Sequence, residues 1–399
     1  MSDKKQKTAR DIGVGVKSNR RAVFDIGNCD ETHRVARRPG PWEGAAGWAL
    51  VAAMVVVGVL GIILAYNAHD EQLADMPMGD ATDSALQGDN YSNGVGSAVL
   101  PGFHSPVDGL PMANESHLEY FAMIIDNYTF ARPASGIDQA SLVIEAPAEG
   151  GITRLMAFFL NGLEIDQVGP VRSARPYFVE WAEEYGAVLA HVGGSPAALA
   201  MLKQTEYLRS LNEMQRGGYF WRDKTRDAPH NVYTSSDLLQ AALDKIDPNQ
   251  RELDYERPFK DSALGGSEAR QVTVDRIAID YSVPNYHVTW SYDEDSNRYV
   301  RHQGEGKVRT ADGEVVRADN IIVQVTDIQV IDAIGRKEIR TVGEGEALVF
   351  LDGRAIEARW QKNTGERTRF LFADNDIEIP LNVGVTWLQV VATDTPVEY

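Results

Sequence analysis

Three carboxylates fall close together along the chain: Asp138, Glu145 and Glu149. Glycan cleavage uses two carboxyl groups, one protonated as general acid and one ionised as base or nucleophile, at a defined separation. The Glu145–Glu149 spacing crosses Pro147, so no regular helix fixes that separation. Arg154, Arg172 and Arg175 follow and offer a plainer use, as ion-pair partners of Glu145 and Glu149. Ion-pair networks gather charge in one place as active sites do. Salt bridges are therefore the favoured expectation, and a glycan hydrolase or lyase built on Glu145, Glu149 and Asp138 is the alternative.

A second candidate is the run His191-Val192-Gly193-Gly194-Ser195-Pro196. It reads as a strand, a glycine turn and a helix start. Free N–H groups and a partial positive charge at a helix N-terminus can hold an anion. Arg172, Arg175, Arg154, His191 and the later pair His230-Asn231 could add donors around Gly193, Gly194 and Ser195, giving a site for a carboxylate or phosphate. The simpler reading, that Ser195 caps a helix opened by Pro196, is favoured about two to one, because capping explains Ser-Pro without a ligand.

Other chemistries find little support. Ser195 lacks the Gly-x-Ser-x-Gly elbow of a serine hydrolase. The eight histidines include no pair at i, i+4, and the single cysteine, Cys29, excludes an intramolecular disulfide, so no metal and no cofactor is expected. Cys29 also precedes the long apolar run, whereas a lipidated cysteine would follow one.

These residues need elements to hold them. Short apolar runs at 121–125, 141–144, 155–160 and 187–192 read as buried strands. Helices are expected from Ala174 towards Tyr185, capped by Ser173, from Pro196 through Lys203, and from Ser235 or Ser236 towards Ile246. Tyr177, Trp181 and Tyr185 would share one face. From about residue 271 the pattern turns to strands, with hairpin turns at Asp312-Gly313 and Asp352-Gly353. The fold class expected is an α+β or α/β domain over 111–246, a linker over 247–270 and a mostly β domain over 271–395.

The N-terminal part is different in kind. Residues 1–44 hold ten Lys/Arg against six Asp/Glu, a net of +4, so the rest carries −23 of the formal −19. Residues 45–66 carry no charge. As a helix these would span about 33 Å, against a hydrocarbon core of about 30 Å. Positive residues stay inside, which predicts a cytoplasmic tail, a single transmembrane anchor helix and an extracytoplasmic body. Residues 67–110, rich in Asp, Gly, Ser and Asn, read as a flexible acidic linker. So acidic a body repels phosphate backbones and excludes nucleic acid as a partner.

The ordered motifs Arg132-Pro133, Ser135-Gly136-Ile137-Asp138-Gln139-Ala140, Gly169-Pro170-Val171-Arg172-Ser173-Ala174-Arg175-Pro176, His191-Val192-Gly193-Gly194-Ser195 and His230-Asn231-Val232-Tyr233-Thr234 resemble the YerB-like lipoprotein family, numbered 3048 among the domains of unknown function. The stretch around Trp360 and the ending Pro380-Leu381-Asn382-Val383-Gly384-Val385-Thr386-Trp387 resemble its β-rich C-terminal domain. The resemblance spans about 111–395. It implies a bacterial cell-envelope protein and supplies no reaction. The resulting expectation is a non-catalytic module that binds cell-wall polymer or a wall-synthesis protein. The alternatives are the glycan-directed enzyme and a protein-complex scaffold.

Overall fold

The computed structural model describes residues 103–112, 119–205, 208–246, 257–260, 272–304 and 306–399. The basic tail, the apolar run at 45–66, residues 67–102 of the first expected linker and 247–256 and 261–270 of the second lie outside the described residues. The described ends of both linkers correct that expectation: Phe103–His104 pairs with Pro111–Met112 around the buried Val107, and Phe259–Lys260 pairs with Leu381–Asn382. Among the described residues no helix is long and apolar enough to cross a membrane. They are mostly β, with 44% in strands and 15% in helices, so sheets rather than helices position the side chains.

The N-terminal half contains β1 (Tyr120–Asp126), β2 (Leu142–Pro147), β3 (Thr153–Leu160), α1 (Pro176–Glu184), β4 (Val188–His191), α2 (Pro196–Gln204), β5 (Ser210–Asn212) and α3 (Ser236–Leu243). The C-terminal half adds β6 (Val272–Thr273), β7 (Arg276–Asp280), β8 (His287–Asp293), β9 (Arg298–Gln303), β10 (Asn320–Thr326), β11 (Gly343–Leu351), β12 (Arg354–Lys362), β13 (Arg369–Phe372), β14 (Thr386–Ala392) and β15 (Val397–Glu398). Short strands of two or three residues elsewhere are left unlabelled.

One eleven-stranded sheet crosses both halves, in the order β6-β12-β11-β10-β14-β2-β3-β1-β4-β5, with β13 on β12. The halves join where β14 lies parallel to β2, placing Thr386, Trp387, Leu388 and Gln389 opposite Leu142, Val143, Ile144 and Glu145. Burial on both faces explains the unbroken apolar runs. β1 is buried at all seven positions, as expected of a strand covered on both sides.

Strand parity assigns each side chain to a layer. Ala122, Ile124, Ile144, Met156 and Phe158 face α1, where Tyr177, Phe178 and Trp181 meet them. Met123, Val143, Ala157, Ile321 and Trp387 face the other way, against Leu239 of α3 and Ile277, Val288, Trp290 and Tyr299 of a second sheet. That six-stranded sheet includes β9-β8-β7-β15.

Local signals placed the helices well, with one correction. Tyr177, Trp181 and Tyr185 are buried together, as their spacing predicts. Ser195 accepts from Ala198 N and caps α2, and Ser235 accepts from Leu238 N and caps α3. Ser173, however, does not cap α1: the helix starts two residues later than expected, and Arg175 is its N-cap residue with no side-chain cap. Pro176 pre-sets the first helical turn there. Asp352-Gly353 closes the β11–β12 hairpin, both residues having positive φ (55° and 67°) as a type I′ turn requires.

Candidate functional site

Glu145 and Glu149 make ion pairs, as the favoured reading of the sequence expected, and the carboxylates of the glycan-cleaving alternative face different partners. Glu145 shares the parity of Val143 and lies on the face toward the second sheet, fully buried. Its Oε2 is 2.7 Å from Arg301 Nη2, and its Oε1 accepts from Thr153 Oγ1 at 2.6 Å. Arg301 rather than Arg154, Arg172 or Arg175 is therefore its ionic partner. Glu149 is held by Arg154 at 3.3 Å and by Arg175, and Arg154 has the parity of Met156, which faces α1. Burial pushes the Glu149 carboxyl up, but the Arg175 hydrogen bond and the charges of Arg154 and Arg175 outweigh it and hold the group below its ordinary value. Asp138 sits apart from both, raised by burial and by the charges of Asp312 and Glu314.

The glycine turn is also occupied from within. Gly193 N donates to Asn212 Oδ1 at 2.9 Å, Ser195 N donates to Ala174 O at 3.1 Å, and Ser195 Oγ takes Ala198 N. These are donors an anion would need. His191 is fully buried; its Nδ1 donates to Gly193 O at 2.6 Å and its Nε2 lies 2.8 Å from Ser210 Oγ. A carbonyl only accepts, so Nδ1 carries the proton, and burial lowers the imidazole's proton affinity. The 172–175 segment runs beside the turn by main-chain bonds, Val192 N to Arg172 O and Ala174 N to Gly193 O. Its guanidiniums point elsewhere: Arg175 to Glu149, Arg172 to Asp126. Ordinary capping and turn bonds, the reading favoured from the sequence, thus account for Gly193-Gly194-Ser195 without an anion.

His230 and Asn231 belong to a different cluster. His230 Nδ1 is 2.6 Å from Asp126 Oδ2, and Arg172 Nε lies 2.9 Å from the same oxygen as an ion pair. The imidazole stacks on Tyr128 at 5.0 Å. Asn231 donates to Asp223 O and Arg226 O and accepts from Arg222, fixing its own loop.

Asp126 is part of the wall of a cavity of about 370 Å³ between the two halves. The N-terminal half contributes Asn127, Arg132, Ile137 and Leu155; the C-terminal half contributes Arg301, Gln303, Lys307, Val308, Arg309, Val316 and Trp387. Among the described wall residues four are cations and one, Asp126, is a carboxylate. Arg132 donates to Asn127 O (2.9 and 3.1 Å) and Asn285 O (3.0 Å), all neutral acceptors, and lies 5.0 Å over the Tyr286 ring. Arg301 is 4.4 Å over Trp387 and 5.4 Å over Trp290. Arg309 donates to Gly313 O, and Lys307 is exposed. A smaller cavity of about 160 Å³, over Phe121, Phe159, Leu163 and Leu239, has no Lys or Arg in its wall.

The sequence reading missed most of this wall. Arg132 stood only as a family motif. Arg301 carried a usable signal, since it alternates with Tyr299 on the inward side of β9, where a charge is costly unless paired. Lys307 and Arg309 gave none, because exposed cations are common.

Comparison with known proteins agrees with this architecture. The family model described as "Protein of unknown function (DUF3048) N-terminal domain" matches residues 109–249, and its C-terminal counterpart matches 277–388. A Bacillus subtilis (strain 168) protein described as "Putative lipoprotein YerB" is 31% identical over 277 residues, 68% of this chain and 80% of that protein. The crystal structure of YerB protein from Bacillus subtilis superposes with a TM-score of 0.63 at 28% identity, covering 74% of this chain and all of that one.

Proposed function

This chain belongs to the DUF3048 family through both of its domains, and from that membership we propose that it is an extracytoplasmic envelope protein. In this reading it holds an anionic group of a wall polymer, or of a wall-synthesis partner, in the Arg132–Arg301 cavity without cleaving it. The observation that carries the reading is the wall itself: among its described residues are four cations, Arg301 paired with Glu145 and Arg132, Lys307 and Arg309 with no carboxylate in an ion pair, at one concave place on a chain of formal charge −19. Low-dielectric walls focus such a field, so the cluster attracts anions that the rest of the surface repels. The wall's carboxylate, Asp126, is already matched by Arg172 and His230. The description of the relative as a lipoprotein supports a place on the extracytoplasmic face of the cell membrane. The apolar run 45–66 would provide a spanning anchor there, with the basic tail inside.

Full-length protein mixed with purified wall sacculi should pellet with them and release no soluble fragments. Arg309→Gln and Lys307→Gln change exposed cations and should leave the fold intact. Each should weaken pelleting by about tenfold, as expected for a charge-assisted contact of about 1.5–3 kcal/mol. Fragment release would establish the hydrolase alternative. Pelleting indifferent to both variants would move the site elsewhere.

A further inference from the structure

We propose that the occupant of this cavity is an organic oxyanion, a carboxylate or phosphate carried on an apolar body. The inference rests on the cavity reading above and narrows its ligand. Among the wall residues, three buried side-chain atoms lack a hydrogen-bond partner: Arg301 Nη1, Gln303 Nε2 and Trp387 Nε1. All three are donors. The Gln303 amide orientation is set by Arg301 Nη2, which donates to its Oε1 at 3.5 Å. A shielded donor without an acceptor costs about 1–3 kcal/mol, and a group that only accepts would recover that cost. A neutral sugar hydroxyl brings a donor of its own, while an ionised carboxylate or phosphate brings none.

Arg301 is also preorganised. Its Nη2 lies 2.7 Å from Glu145 Oε2 and its guanidinium carbon 4.4 Å from the Trp387 ring centre and 5.4 Å from that of Trp290, contacts that hold the group in place and leave Nη1 unmatched. Planar guanidinium recognition of an oxyanion needs that rigidity. The rest of the wall is apolar: Ile137, Leu155, Val308, Val316 and the Trp387 ring. A bare ion would leave those surfaces wet. The volume of about 370 Å³ falls in the range of about 300–1,000 Å³ that small organic ligands fill.

Isothermal titration of the full-length protein with four probes separates the requirements. Phenylacetate and phenyl phosphate carry both halves of the proposed ligand, inorganic phosphate only the charge, and benzyl alcohol only the ring. At least one of the first two should bind at a single site, about tenfold or more tighter than either of the last two, and whichever binds better identifies the oxyanion. The double variant Lys307→Gln/Arg309→Gln, its fold checked by circular dichroism, should lose about tenfold or more in that affinity. The proposal fails if neither aromatic anion binds, if inorganic phosphate or benzyl alcohol binds as tightly, or if the double variant is unaffected. Small anions bound without pelleting on sacculi would overturn the wall reading and leave this one standing. Pelleting without binding of either aromatic anion would do the reverse.

Discussion

The Glu145–Arg301 pair shows why a charge can sit in a sheet. Both side chains are at most 1% exposed, a position that costs several kcal/mol per ion unless each charge is matched. Here the match is made by the ion pair, by Thr153, and by the two indole faces over the guanidinium. Removing one partner strands the other. Glu145→Gln should therefore lower unfolding free energy by about 3–5 kcal/mol, read from denaturant titration. The double variant Glu145→Gln/Arg301→Met should recover part of that loss. If Glu145→Gln is neutral, the pair is not the organising contact of the junction. The same residue was a candidate catalytic acid in the sequence, and its type was right for that role. Its burial beside Arg301 favours the structural role.

At the scale of elements, what local chemistry governs was legible. Ser-Pro at 195–196 foretold the start of α2, because a cap needs only the residue and the N–H three positions on. The anion site drawn on the same residues was not legible, since it depended on whether Asn212 and Ala174 would take the donors. Ser195→Ala should lower stability by about 1 kcal/mol and leave the affinity for the aromatic anions unchanged. An affinity loss in a folded Ser195→Ala protein would return the glycine turn to the binding site. The start of α1 was misplaced for a related reason: Ser173 has cap chemistry, but its carbonyl is taken by Arg154 Nη1 at 3.0 Å, and the helix begins at Pro176.

For the whole molecule, the consequence of β14 pairing with β2 is that the two halves share a sheet and two cores. Leu388 lies opposite both Ile144 and Ile322 and is 4% exposed in the core facing α1. Leu388→Ala should cost about 2–5 kcal/mol. If the halves unfold as one unit, the free energy of hydrogen-exchange protection at Ile124 in β1 and Val349 in β11 should fall by the same amount. A loss confined to Val349 would show that the halves open separately. The cavity is a product of the same junction, since Arg132 and Arg301, 169 positions apart in the chain, become wall neighbours only once the sheet closes.

The sequence by itself determined the apolar run at 45–66, the acidic body, the principal strands, two helix caps, the β11–β12 hairpin and the family motifs. Each depends on residues a few positions apart, or on a running composition, and so is written in the order of the letters. Tertiary structure decided which arginine met which carboxylate, which donors at the glycine turn were spent internally, and where unmatched cations collected. Those outcomes depend on strand pairing across hundreds of residues. A buried charge is tolerable only beside its partner, and no spacing along the chain says which distant strand will bring that partner.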